Sequence, residues 1–395
     1  MNVPVNIGEF HVLQKLGNGA FSTVYLAVHE PTGLKVAIKD IQIHATMDSS
    51  MKTHLVREIN LVKSAKSNFI AELFDVIEAP EHVYLVLEYV ENGNIAQNIA
   101  KVGLLNGEQA RTMIAQMVII LCYLHNHLHI AHRDIKAENV LIDKFWNIKL
   151  VDFGLCNHFS TPEQNFRSVC GSIQYLAPEI VKNKPYTKAV DIWSTGILIY
   201  KIVTGRFPFE DISMQLLLHK ITSSKLSFPP GMDPDLVDLL QKMLSKDPKN
   251  RITAEQMKLH PYLKNFDFDQ LDNIPEEVHD NEIKELAKER NIDFALIESD
   301  EVGILFKILQ KEVQNSKIRK VQKPLKETEK KKVVRDKKKF YFLDSKKPDQ
   351  MKVLAKKFVH GKIIPHRASV ALSDANISDN TERTNVPKRK SEMST

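Results

Sequence analysis

With 395 residues, of which 43% are hydrophobic and 26% charged, the chain has the composition of a globular protein with room for more than one folded unit. Its longest apolar runs, such as Met117 to Tyr123, are far too short to span a bilayer. The net charge of +6 conceals an asymmetry. Residues 316–369 hold nineteen Lys/Arg against five Asp/Glu, whereas the first 315 residues carry a net charge of −8. An acidic body and a basic tail are expected to behave as separate objects. The opening MNVPVNIGEF lacks the charged stretch and apolar core of a secretory leader, and Asn2 stands where myristoylation needs glycine. Three scattered cysteines (Cys122, Cys156, Cys170) with no C-x-x-C pair suit a reducing setting, so a cytoplasmic or nuclear location is expected.

Phe10 to Tyr25, FHVLQKLGNGAFSTVY, alternates apolar residues on either side of a glycine turn and predicts strand, turn, strand. Gly17 and Gly19 would let backbone N–H groups approach phosphate oxygens, although Ser22 falls where a third glycine is usual. Lys39 follows in KVAIK, a half-buried strand pattern in which an ammonium is costly unless an anion meets it. Glu58 lies on a segment with a helical apolar stripe at Leu55, Ile59 and Val62. His82 to Val90 reads as a strand ending in a polar hinge, and Leu105 to His127 as a long amphipathic helix.

The densest chemistry lies between Ile130 and Gly154. Asp134, Lys136 and Asn139 occupy a predicted loop. Val140–Ile142 and Ile148–Val151 predict a short hairpin that brings Asn139 and Asp152 together at one end. Two adjacent oxygen ligands suit a hard cation such as Mg²⁺ together with substrate phosphates, and Asp134 would sit beside it, free to accept a proton.

AHRDIKAEN and DFG resemble the catalytic and metal-binding loops of eukaryotic protein kinases, and the remaining parts follow in order: the glycine loop, Lys39, Glu58, Ala177-Pro178-Glu179, Asp191 and Arg251. The resemblance covers Phe10 to Leu263. FRSVCGSIQYLAPE and DFGLCN look most like the calcium/calmodulin-dependent kinase group, on its AMP-activated/MARK-like branch. It implies an α+β, two-lobed fold, with a small β-rich N-lobe over about 10–88 and a larger helical C-lobe over about 91–263. ATP would be held by Leu16, Gly17, Gly19, Val24, Ala37, Lys39, Glu58, Leu87, Glu88, Val90, Asn94 and Leu141. Lys39 would pair with Glu58, and the backbone of Glu88 and Val90 would bond adenine. Mg²⁺ would fall to Asn139 and Asp152, the substrate proton to Asp134 and the transferring phosphoryl group to Lys136. Asn94 replaces the acidic residue that contacts the ribose or a basic substrate residue in many relatives. Ser168 occupies an activating phosphorylation position, with Arg133 and His54 as its counter-charges. Ser172 is expected to place a hydroxyl against Asp134 and Lys136, which indicates serine/threonine acceptors. Asp191 should anchor the catalytic loop from an apolar helix over Tyr186–Phe209, and Arg251 should pair with Glu179.

Beyond this domain, 280–315 predicts a three-helix module similar to ubiquitin-associated domains. Arg290-Asn291-Ile292-Asp293 replaces the usual Met-Gly-Phe loop, so docking on the kinase domain is expected instead of ubiquitin binding. Residues 316–395 read as a basic, disordered tail with acidic lipid, nucleic acid or import receptors as candidate partners, and with Ser369 and Ser391 as candidate autophosphorylation sites. The expected partners are protein substrates with Ser/Thr acceptors and an upstream kinase, around a monomer or a member of a regulatory complex. The rival classes are a pseudokinase scaffold, which would have lost metal or phosphate residues, and a protein whose main activity is binding through its basic tail.

Overall fold

The computed structural model describes residues 6–19, 22–43, 49–105, 107–158, 166, 171–268, 278–298 and 303–321. Ser168, Cys170 and residues 322–395 of the expected tail lie outside them, as do the side chains of His54 and Glu58, while 316–321, expected to be disordered, are helical.

The N-lobe is one antiparallel sheet of β1 (Asn6–Ile7), β2 (Phe10–Asn18), β3 (Ser22–His29), β4 (Leu34–Gln42), β5 (Leu73–Ala79) and β6 (His82–Glu88), in the order β1-β2-β3-β4-β6-β5. Helix α1 (Ser49–Ser64) joins β4 to β5. Alternation along β4 explains its placement. Leu34, Val36 and Ile38 point to one face and are buried, while Lys35, Ala37 and Lys39 point to the other. The first face would be an exposed apolar surface if nothing covered it.

That cover comes from the end of the described chain. Helices α9 (Asp280–Glu289), α10 (Phe294–Glu298) and α11 (Ile304–Val321) follow the catalytic region. Ile283, Ala287, Ile297, Leu305, Ile308 and Leu309 form one hydrophobic core with Phe10, Val12, Tyr25, Leu34, Val36, Ile38 and Val86. The final helix runs six residues past position 315, to Val321, and its Ile318 enters the other core cluster, together with Leu61 and Leu85. Between α9 and α10, Asn291 takes a left-handed conformation (φ 56°), and Arg290 reaches Glu312 of α11 at 2.6 Å.

The C-lobe is helical: α2 (Ile95–Val102), α3 (Gly107–Cys122), α4 (Pro178–Val181), α5 (Ala189–Thr204), α6 (Met214–Ser223), α7 (Pro234–Met243) and α8 (Ala254–Lys258). Two expectations need correction here. The helix expected over Leu105–His127 is not amphipathic: α3 is buried continuously from Met113 to Cys122 and gives way to a π-helical turn at Tyr123–His127. A helix apolar on every side belongs inside the lobe. The segment Tyr186–Phe209 is helical only from Ala189 to Thr204, where Gly205 ends it in the left-handed conformation (φ 79°).

Because Leu309 is fully buried where α11 meets the sheet, Leu309→Ala is expected to cost about 2–5 kcal/mol. A single cooperative melting transition, lowered in temperature, is the expected calorimetric result. Separate melting of the 280–321 helices would show that the core is not shared.

Candidate active site

The short strands β7 (Ile130–Ala131), β8 (Val140–Ile142), β9 (Ile148–Leu150) and β10 (Asn157–His158) frame the loops that carry the chemistry. Pairing of Val140 with Leu150, together with a Val151 N–H to Asn139 O bond of 3.0 Å, brings Asn139 beside the Asp152 segment. Lys39 crosses from β4 to Asp152 at 3.2 Å, so the N-lobe strand and the C-lobe hairpin meet at one point. The Lys39 ammonium holds the Asp152 carboxyl below the usual carboxylate range and keeps it anionic.

Asp134 is pushed the other way. Burial raises its carboxyl, although the Lys136 ammonium at 2.5 Å opposes the shift. Asn139 Nδ2 donates to Asp134 O at 2.9 Å and to Oδ2 at 3.0 Å, so one carboxylate oxygen is already well occupied. Two carboxyls driven in opposite directions suit opposite roles, one as proton acceptor and the other as permanently charged ligand. Asn139 and Asp152 offer a hard, all-oxygen donor pair that fits a divalent cation sharing its other positions with phosphates. Among the described residues, no three His, Cys, Asp or Glu side chains converge into a closed protein cage.

The catalytic loop is held from below. Asp191, fully buried on α5, accepts the backbone N–H groups of His132 and Arg133, each at 2.8 Å, and sits 3.0 Å from His125 Nε2. Burial alone would raise its carboxyl, but these donors outweigh burial and hold it low. Arg133 has φ 67°, a conformation that strains any side-chain-bearing residue and persists only when its surroundings enforce it. Glu179 and Arg251 form a buried fork, at 2.7 and 3.0 Å, that fixes the far end of the same region.

On the face expected to hold nucleotide, Val24 pairs with Gly17 and Lys39 across the sheet, and Ala37 pairs with Leu87. Leu16 lies exposed on β2. The Gly19 N–H donates to Ser22 O at 2.7 Å, and a Cβ on Gly19 would lie 2.8 Å from Ser22 Oγ, so the residue in the usual third-glycine place closes the turn against a true glycine. The N–H of Glu88 is already committed to Glu72 O at 2.8 Å, so any adenine contact from Glu88 falls to its carbonyl. Val90 is buried just beyond it, and Leu141 forms a β-bridge with Asn94 beneath the hinge.

Asn94 has a structural role. Its side chain accepts Gln97 N–H at 2.9 Å as the N-cap of α2, and Gln97 answers in a reciprocal capping box. The expected Ser172 contact is corrected. Its hydroxyl makes no bond to Asp134 or Lys136, because Lys136 turns directly onto Asp134, while Tyr175 OH supports the loop by accepting Ala137 N–H at 3.2 Å.

Two residues that sequence reasoning passed over are Lys149 and Asn315. Lys149 is fully buried on β9, at 2.8 Å from both Glu88 and Asn315. The rule that singles out Lys39, an ammonium in an apolar strand needing an anion, applies equally to Lys149.

The family profile described as "Protein kinase domain" matches residues 10–263, more than half of the chain. The chain belongs to the protein kinase family. Among curated relatives, the SNF1-related protein kinase catalytic subunit alpha KIN12 of Arabidopsis thaliana is 36% identical over 262 residues, covering 65% of this chain and 52% of that protein. Maternal embryonic leucine zipper kinase of Xenopus laevis is 37% identical over 260 residues, covering 65% and 39%. An Aurora kinase of Schizosaccharomyces pombe is 35% identical over 259 residues, covering 65% and 72%. This chain thus spans about half or less of the first two relatives, and it carries a kinase domain of the serine/threonine type. Use of ATP with a divalent metal, and of protein substrates, belongs to that family in general.

Replacing Asp191 by Ala strands two buried backbone donors and releases Arg133. A loss of about 3–5 kcal/mol is expected, read by denaturant unfolding, with activity lost alongside.

Proposed function

We propose that this chain is an active, Mg²⁺-dependent protein serine/threonine kinase that transfers the γ-phosphoryl group of ATP to protein hydroxyls. The Lys39–Asp152 contact carries the reading, since it joins the nucleotide face of the sheet to the candidate metal carboxylate at 3.2 Å, next to Asp134, Lys136 and Asn139. Lys39 and the glycine loop orient the phosphates, and the Glu88 carbonyl with Val90 orients adenine. Asn139 and Asp152 would hold Mg²⁺, which when bound offsets the charge developing on the phosphoryl oxygens. Asp134 orients the incoming hydroxyl and takes its proton, and Lys136 steadies the transferring group. Retention of every one of these residues speaks against a pseudokinase scaffold.

The SNF1-related and leucine zipper kinase relatives support placing the chain on the AMP-activated/MARK-like branch of the calcium/calmodulin-dependent group. Phosphorylation of Ser168 by an upstream kinase is the proposed activating event. The Arg133 guanidinium lies over the ring of Phe166, two residues before Ser168, at 5.4 Å, and bonds Leu155 O and Tyr186 OH, so a phosphate brought there would meet a cation already in position. The basic tail is proposed to recruit acidic partners, and a cytoplasmic or nuclear location is proposed from its charge and the sparse cysteines.

Asp134→Asn should lower turnover by about 10²–10⁴-fold while nucleotide affinity stays near wild type. Retained turnover would remove Asp134 from its role. Ser168→Ala should block activation by a phosphorylating partner, and equal activity before and after such treatment in both proteins would refute the Ser168 switch.

A further inference from the structure

The Lys149 ammonium has no place in the phosphate chemistry, yet it is fully buried three residues before Asp152. Its partners are Glu88, at the end of β6, and Asn315, on α11. Asn315 uses both ends of its amide: Nδ2 donates to Glu88 Oε1 at 2.8 Å, and Oδ1 accepts from Lys149 Nζ at 2.8 Å. Only this amide orientation satisfies a carboxylate on one side and an ammonium on the other. One turn earlier on the same helix, Lys311 pairs with Glu72 at 3.2 Å. Glu72 in turn exchanges two bonds with Glu88: its carbonyl accepts Glu88 N–H at 2.8 Å, and its N–H donates to Glu88 Oε2 at 3.2 Å.

We propose that Asn315 is a positioning residue of the active site, holding the hinge carbonyl of Glu88 and the strand that carries Asp152 in register from behind the cleft. This rests on the nucleotide site described under Proposed function. The physical case is the closure of the network. Glu88, Lys149, Lys311 and Asn315 are all buried, beside a cavity of about 30 Å³ lined by Glu88, Lys311 and Asn315, so a lost bond is replaced only by movement of its partners or by a water held in a confined space. With two cations around it, the Glu88 carboxyl stays ionised despite its burial. Remove the Asn315 amide, and Glu88 and Lys149 each lose a bond of 2.8 Å, and a water in its place lacks the fixed geometry that ties the two together. One of them bears the adenine acceptor, and the other lies on the strand leading to the metal carboxylate.

The test is made on the full chain, with Asn315→Ala, with the isosteric Asn315→Asp, which turns the donor facing Glu88 into an acceptor, and with Lys317→Ala as control. Lys317 bonds Glu282 at 2.8 Å within the same helical module, and Glu282 is not among the residues of the network. Affinity for Mg²⁺-ADP is read by calorimetry, and KM for ATP and for a serine peptide by steady-state assay. Both Asn315 variants are expected to weaken nucleotide binding and raise the ATP KM about tenfold, with the peptide KM unchanged and Lys317→Ala like wild type. Unchanged or tighter nucleotide binding in Asn315→Asp, or an equal loss in Lys317→Ala, would overturn the proposal. A wild-type chain that binds nucleotide but transfers no phosphoryl group would overturn the catalytic reading alone, and the affinities would still decide the role of Asn315.

Discussion

The Asp191 carboxylate sets the geometry on which the rest of the site depends. It sits on α5, at the heart of the helical lobe, and accepts the N–H groups of His132 and Arg133. Those two bonds hold Arg133 in a left-handed backbone conformation and so determine where the next residue, Asp134, emerges. A candidate catalytic carboxylate on an irregular loop needs this rigid support, since loops alone position side chains loosely. Burial makes the support stiff: with no water to compete, donors and acceptor have no other arrangement of equal energy.

A second constraint acts from the opposite side. The six-stranded sheet has two faces, and only one can look into the cleft. Its other face becomes part of a hydrophobic core only because α9–α11 cover it. The helical module is thus no loose appendage. Its last helix also reaches the hinge through Asn315 and Lys311, and it meets the second core cluster through Ile318. Packing against the sheet and polar bonding to Glu72, Glu88 and Lys149 come from the same helix.

Much of this could be read in the sequence, for a physical reason. Asp134, Asn139 and Asp152 are polar residues in short, fixed spacings between apolar strands, and that spacing becomes geometry once the hairpin forms. Asn94 carries a local signal of another kind, an N-cap residue followed three positions later by Gln97, which its likeness to a ribose-contacting position does not reveal. Long-range polar contacts were less legible. Lys149 and Asn315 are 166 positions apart, and nothing in the local pattern of either announces the other. Helix α3 illustrates a different limit: periodicity marks a helix with one wet face, and α3 keeps almost none after Met113. The Ser172 hydroxyl shows a third, because its expected place against Asp134 and Lys136 depends on the folded path of two separate loops, and in the fold Lys136 meets Asp134 directly.

The most direct measurement is phosphoryl transfer by the full chain from γ-labelled Mg²⁺-ATP to matched peptides differing only in a Ser, Thr or Tyr acceptor. Convergence of Lys39, Asp134 and Asp152 in one cleft predicts phosphoryl transfer, and Lys136 beside Asp134 predicts label on the serine and threonine peptides and none on tyrosine. A chain that binds Mg²⁺-ATP yet labels no peptide after treatment with activating kinases, or that labels tyrosine, would contradict it.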